Sequence, residues 1–220
     1  MIVEIGPGRG ALTDQLLLVA KQVVAIEIDP VLVEYLRSKY SDQPRVRIIH
    51  SDILKADLTQ WGTMVVAGNL PYYITSPIVE QVLRLRQQVT RAVFLVQKEV
   101  AERITSGPGT RDFGYLSVAT QFYADAELLF TVPPGAFRPP PKVDSAVVRL
   151  TPRASLSTDN AERFLKFAGL CFRQKRKTLR NNLLGAYDDE RLRALPESGK
   201  RAEQLSLSDL QRLFELLNPM

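Results

Sequence analysis

Ile2-Val3-Glu4-Ile5-Gly6-Pro7-Gly8-Arg9-Gly10-Ala11 decides the fold. The apolar run Ile2–Ile5 reads as a strand, and it feeds directly into three alternate glycines that open an amphipathic stretch over Ala11–Ala20. Glycine lets the backbone turn sharply and approach a ligand without a Cβ in the way, so strand, glycine loop and helix form the first unit of an open α/β sheet. The same rhythm continues outward. Strands are expected at Val23–Ile28, Val46–Ile49, Met64–Ala67, Ala92–Val96, Glu127–Val132 and Ala146–Leu150, and helices at Pro30–Ser38, Ser76–Arg86, Lys98–Thr105 and Tyr115–Tyr123. Pro30 and Pro77 suit first-turn positions. Short apolar strands alternating with amphipathic helices predict a mostly parallel seven-stranded sheet in which the first strand lies centrally. No good helix separates the last two strands, which are expected to pair antiparallel.

From Thr151 to Asp159 the chain turns to Pro, Ser and Thr, a linker composition, and beyond it only helical spacing remains. Phe164, Phe167, Ala168 and Cys171 share one face; Leu207, Leu210, Leu213, Phe214 and Leu217 share another, with Ser206 or Ser208 able to cap that helix. The expected organisation is a Rossmann-like domain over 1–151, a linker over 152–158 and a helical domain over 159–220.

Of 220 residues, 45% are hydrophobic and 24% charged, which excludes disorder and collagen-like order. One cysteine, Cys171, and one histidine, His50, exclude an internal disulfide and a Cys/His metal cluster. His50 reads as an exposed strand end and Cys171 as a small buried apolar group. No apolar run approaches bilayer length and no signal pattern opens the chain, so a cytoplasmic, non-membrane protein is expected. The net charge of +5 is uneven: residues 1–152 hold 16 basic and 15 acidic side chains, residues 153–220 hold 13 and 9. Arg173, Lys175, Arg176, Lys177 and Arg180 fall within eight residues without an acid. That is the footprint of a polyanion contact, or else a solvated helix face.

Three acidic positions surround the glycine loop. Glu27, at the end of the second strand, can accept from both hydroxyls of a ribose. Asp52, after the third, can accept from an adenine amino group or cap a turn. Gly-x-Gly-x-Gly is not the dinucleotide Gly-x-Gly-x-x-Gly, and Glu4 would repel a pyrophosphate while suiting a cation, which favours S-adenosylmethionine over NAD. Asn69-Leu70-Pro71-Tyr72 follows the fourth strand. An exocyclic purine amine is a poor nucleophile because its lone pair is delocalised into the ring. The Asn69 side-chain oxygen and the Leu70 carbonyl, on a backbone restricted by Pro71, can both accept from that amine and localise the pair, while Tyr72 stacks on the extruded base. The plain alternative is a Pro-Tyr turn.

The Glu4-to-Gly10 loop, Glu27-Ile-Asp29, Asp52, Asn69-Leu-Pro-Tyr72, Val96-Gln-Lys-Glu-Val-Ala-Glu-Arg103 and Val132-Pro-Pro-Gly-Ala-Phe-Arg-Pro-Pro-Pro-Lys-Val-Asp-Ser145 together resemble the rRNA adenine N6-dimethyltransferases. The likeness is to the bacterial KsgA type acting on small-subunit (16S) rRNA. Phe172-Arg-Gln-Lys-Arg-Lys-Thr-Leu-Arg-Asn181 and Arg201-Ala-Glu extend it into the helical region. The resemblance implies a methyltransferase of Rossmann-like fold that dimethylates two adjacent adenosines near the 3′ end of 16S rRNA. It also implies S-adenosylmethionine bound by Gly6, Gly8, Glu27, Asp52 and Asn69. Phe137 would face Tyr72 across the target base, and Lys142 with the basic run would meet RNA; without the family, Phe137 reads as a loop aromatic over the core and Lys142 as a solvated charge. Neither metal nor covalent intermediate is implied. The implied partner is the immature small subunit, bound by a monomer. Family members carry a few tens of residues ahead of the glycine loop, whereas this chain starts on its first strand, so a truncated protein with reduced or no activity is expected. The competing readings are a large-subunit rRNA methyltransferase of the antibiotic-resistance type and a non-catalytic RNA-binding assembly factor.

Overall fold

A computed structural model describes residues 1–156 and 160–218. The described residues form one seven-stranded sheet in the order β3-β2-β1-β4-β5-β7-β6. Its strands are β1 (Ile2–Ile5), β2 (Val23–Glu27), β3 (Val46–His50), β4 (Met64–Asn69), β5 (Val89–Gln97), β6 (Ala124–Val132) and β7 (Ser145–Pro152). The first five are parallel. β7 runs antiparallel to both β5 and β6, so β6 points the same way as the parallel set. The glycine loop, Glu27, His50, Asn69, Gln97 and Val132 therefore all leave the sheet at one edge, where a doubly wound fold places its ligands.

Burial explains the order. Every residue of β2 is buried, as an apolar run covered on both faces requires, while β3 at the margin leaves His50 exposed. The central place expected for β1 holds: it pairs with β2 on one side and β4 on the other. The helices crossing this sheet are α1 (Ala11–Val19), α2 (Pro30–Lys39) and α3 (Thr75–Arg84). Pro30 opens α2, and the Asp29 carboxylate accepts from Val31 N at 2.8 Å. Element ends match expectation or differ from it by up to three residues. The strands run longer wherever a polar residue still pairs in the ladder, as Asn69 does opposite Leu95.

By backbone contacts the chain divides into two compact units; one crossing between them, Ala154 to Ser155, falls within the linker expected over 152–158, and the other two, Ala101 to Glu102 and Tyr123 to Ala124, fall within the expected sheet domain. The first comprises Met1–Ala101 and Ala124–Ala154 and contains the whole sheet. The second comprises Glu102–Tyr123 and Ser155–Met220. The helix α4 (Lys98–Thr105) spans the first crossing, and α5 (Tyr115–Tyr123), expected to cross the sheet, belongs to the helical unit. Of the linker expected over 152–158, positions 157 and 158 lie outside the described residues, as do 159, 219 and 220 of the expected helical domain.

In the second unit α5 joins α6 (Ala161–Cys171), α7 (Leu179–Leu183), α8 (Asp189–Arg193) and α9 (Leu207–Leu217). Phe122 meets Phe164 with ring centres 4.7 Å apart, Phe164 meets Phe214 at 5.7 Å, and Phe167 meets Phe214 at 5.8 Å. Cys171 is fully buried among these helices, and burial pushes its thiol pKa up, which removes it from nucleophilic chemistry. Ser206, not Ser208, caps α9, accepting from Asp209 N at 3.1 Å while the Asp209 carboxylate accepts from Ser206 N at 3.0 Å. Among the described residues no helix is long and apolar enough to cross a membrane.

Candidate active site

The glycine loop is held in a conformation that side chains resist. Gly6, Gly8 and Gly10 have φ of +65°, +59° and +82°. A Cβ on Gly8 would meet nothing within 4 Å, so the space over the loop is open, and one on Gly6 would lie 3.7 Å from the Asn69 carbonyl oxygen. The loop and the Asn69-Leu70-Pro71-Tyr72 segment thus adjoin at the carboxyl ends of neighbouring strands.

Glu27 is almost fully buried, and its carboxylate already organises backbone. Oε2 accepts from Gly8 N at 3.1 Å, and Oε1 from Ile28 N at 2.8 Å and Asp29 N at 3.0 Å. A carboxylate accepts about four such bonds. Oε2, with one donor against two on Oε1, therefore keeps acceptor capacity for a ligand. Ser51 N donates to Glu27 O at 3.0 Å, which carries Asp52 beside Glu27. Asp52 does cap a turn, with Oδ1 accepting from Leu54 N at 3.0 Å, leaving Oδ2 for a ligand. Glu4 lies behind the loop, 1% exposed, with Thr13 Oγ1 donating to its Oε2 at 2.6 Å. Burial pushes its carboxyl up to about 7, reinforced by Asp14 and Glu27 and opposed by the Thr13 bond and Lys39.

Asn69 is the exposed last residue of β4, Leu70 is buried and hydrogen-bonded through its N–H to Leu95 O at 3.0 Å, and Pro71 leads into a single turn carrying Tyr72. The Tyr72 hydroxyl meets the Oγ of the fully buried Ser145 at 2.8 Å. Ser145 is the first residue of β7 and pairs with Val132. The loop Pro133–Asp144, which carries half-buried Phe137 and exposed Lys142, therefore begins and ends at the sheet edge that holds Tyr72. Two residues at this site gain a role only from the structure. Ser145 looks like any small strand residue until the sheet order sets it beside Tyr72. Gly68 is required by packing: a Cβ there would sit 2.6 Å from Ile5 O.

The basic run lies in the second unit and is not a helix face; Arg173 to Lys177 form the turn between α6 and α7, and only Arg180 is helical. Asn182, nearly fully buried, shapes the turn by donating to Cys171 O at 2.8 Å and Gln174 O at 3.1 Å and accepting from Gln174 N at 3.0 Å. Arg180 is paired with Asp189, Arg173 donates to Asn182 O at 3.1 Å, and Lys175 donates to Arg111 O. Arg176 and Lys177 stand exposed on the turn. Among the described residues no group of three or more His, Cys, Asp or Glu side chains could hold a metal.

The S-adenosylmethionine fit rests on these observations: an open glycine cradle, two strand-end carboxylates with acceptor capacity left, and a buried acid whose ionisation a cation would favour.

Comparison with known proteins points the same way. The chain is 44% identical to the ribosomal RNA small subunit methyltransferase A of Acidobacterium capsulatum, covering 98% of this chain and 81% of that protein. It is 42% identical to the protein of the same name from Geobacillus thermodenitrificans, covering 99% and 81%. Among solved structures it superimposes on a dimethyladenosine transferase from Plasmodium falciparum with a TM-score of 0.84, at 26% identity over 96% of this chain and 87% of that one. On the 23S rRNA methyltransferase ErmE the TM-score is 0.74, at 32% identity over 98% and 90%. The family model described as ribosomal RNA adenine dimethylase matches residues 1–218, and the chain belongs to that family.

Proposed function

We propose that the protein dimethylates N6 of two adjacent adenosines near the 3′ end of small-subunit rRNA, on the immature 30S particle. One observation carries the reading: Asn69-Leu70-Pro71-Tyr72 ends β4 where Gly6 adjoins it, so an amine-binding group and a methyl-donor cradle share one strand edge. S-adenosylmethionine, held by Gly6, Gly8, Glu27, Asp52 and Asn69, supplies an electrophilic methyl group.

The chain's own residues do the rest. The exposed Asn69 side chain and the Leu70 carbonyl accept from the adenine N6 hydrogens, which turns the nitrogen lone pair out of conjugation and stabilises the charge that develops on it. Tyr72, fixed by Ser145, gives the extruded base a stacking face, and Phe137 on the adjoining loop supplies the opposite one; such contacts contribute about 1–3 kcal/mol per base. The surplus proton leaves to solvent afterwards, so no buried base is required. Arg176 and Lys177, with Lys142, contact phosphates, which position RNA without reading sequence. The small-subunit substrate is favoured by the two relatives named for it, and the helical unit's basic turn supplies the electrostatic part of the binding.

The test is single-turnover methylation at saturating methyl donor, with immature small subunits and large-subunit RNA offered separately and methylated adenosine counted by mass spectrometry. Asn69→Ala is expected to slow turnover by about a hundredfold while RNA affinity stays within a few fold. A parental rate for Asn69→Ala refutes the catalytic role, methylation confined to large-subunit RNA establishes the resistance-type reading, and RNA binding without donor uptake establishes an assembly factor.

A further inference from the structure

We propose that Lys39 and Tyr40, at the C-terminal end of α2, are positioning residues that latch the glycine loop into its ligand-binding shape through the carbonyls of Arg9 and Gly10 and the carboxylate of Asp14. The inference rests on the reading of Gly6–Gly10 as the methyl-donor cradle.

Lys39 Nζ donates to Arg9 O at 3.2 Å and to Asp14 Oδ2 at 2.7 Å. The Tyr40 hydroxyl lies 3.0 Å from Gly10 O and 2.7 Å from Asp14 Oδ1, and its single proton is shared between these two acceptors. Lys39 also rests over the Tyr40 ring, 5.0 Å from its centre. Tyr40 is 7% exposed, so it is held among the helices rather than free in solvent. Asp14 belongs to the first turns of α1, and its N–H closes the helix start onto Gly10 O at 3.0 Å. The two residues therefore tie the end of α2 both to the loop and to the helix that the loop begins.

The other end of the same segment grips the same loop. Glu27, just ahead of α2, accepts from Gly8 N. One β2–α2 unit thus holds three consecutive loop residues: Gly8 by its N–H, Arg9 by its carbonyl and Gly10 by its carbonyl. Three residues at positive φ in a stretch of five are an ordering burden that a ligand would otherwise meet on binding. The latch meets it in advance, so the amides over the cradle are already set when the donor arrives. The same contact explains why the motif needs its third glycine. A Cβ on Gly10 would fall 2.4 Å from Tyr40 Oη and 3.2 Å from Lys39 Nζ. Gly10 faces the latch, whereas Gly8 faces open space.

Tyr40→Phe removes the hydroxyl and keeps the ring; Lys39→Met, at a side chain 28% exposed, removes the ammonium and keeps the stem. Amide hydrogen exchange on ligand-free protein and calorimetry with S-adenosylmethionine are measured on both variants and the parent. Both variants should exchange faster at Gly8 and Gly10, with Val24–Ile26 of β2 unchanged, and should bind the donor about tenfold more weakly. In turnover the loss should fall on KM for the donor rather than on kcat, and Lys39→Arg should restore most of it. Parental exchange at Gly8 and Gly10 in both variants overturns the latch. Faster exchange with parental affinity overturns its role in preparing the cradle. A parent that takes up no donor at millimolar concentration refutes the cofactor reading, and the exchange measurement then decides the latch by itself.

Discussion

Glu4→Gln should make the protein more stable in alkali and worse at holding a cation. The Glu4 carboxyl titrates near 7 in the folded chain against an ordinary value of 4.5, chiefly because burial disfavours its charge. The folded state therefore holds this proton more tightly than the unfolded one. Stability falls as pH rises from the unfolded value through the folded one, and the full penalty is in place above 7. The shift corresponds to about 3 kcal/mol, most of which develops between pH 5 and pH 8. Glutamine keeps an oxygen for Thr13 Oγ1 to donate to and has no charge to desolvate. Urea unfolding of parent and variant at pH 5 and pH 8 should show the stability difference shift toward the variant by about 2–3 kcal/mol across that range. The variant should nonetheless bind S-adenosylmethionine more weakly at pH 8, where the parent presents a carboxylate behind the loop. Parallel pH dependences of the two proteins would refute the placement of a high-pKa acid at Glu4, and equal donor affinities would refute its use toward a cation.

Gly68→Ala should destabilise the fold by about 1–3 kcal/mol in the same unfolding assay, because the new methyl would need the Ile5 carbonyl to move. Ser145→Ala should cost about 1 kcal/mol of stability and slow single-turnover methylation several-fold with donor affinity unchanged, since it frees the Tyr72 ring without touching the cradle; unchanged turnover would detach Tyr72 from the chemistry. Neutralising Lys175, Arg176 and Lys177 together should lower RNA affinity and flatten its dependence on salt by up to about three counterions, read from binding across a salt series. A parental slope would mark the turn as a solvated surface.

Much of the sheet was legible because its central strands are largely buried. Val23–Ile26 and Met64–Ala67 announce themselves as apolar runs, and the glycine loop fixes which end of β1 faces a ligand. The destination of α5 was not legible. Val118, Ala119 and Phe122 form an apolar face that looks the same whether it covers a sheet or other helices, and only Phe164 and Phe214, far along the chain, say which. Glu27 was placed correctly, but its three backbone donors come from loop geometry that spacing does not encode. The basic run was visible as charge, yet its conformation depends on Asn182, a nearly buried residue of the short helix α7 whose side-chain amide makes two donations and one acceptance that all serve the turn. Lys39 and Tyr40 read as an ordinary amphipathic helix end, since their partners Arg9, Gly10 and Asp14 lie some 25 to 30 residues earlier.

The helical unit is assembled from two separated lengths of chain, and this has a consequence during translation. Phe122 emerges from a ribosome about 40 residues before Phe164 and about 90 before Phe214 can follow, which at roughly 5–20 residues per second leaves an apolar helix face without its partners for about 2 to 20 seconds. The strands β6 and β7 are synthesised within that interval. A nascent chain in this state offers its α5 face to chaperones and to neighbouring nascent chains. The yield of folded protein should therefore depend on the speed of synthesis between residues 124 and 214 more than on its speed over the first hundred.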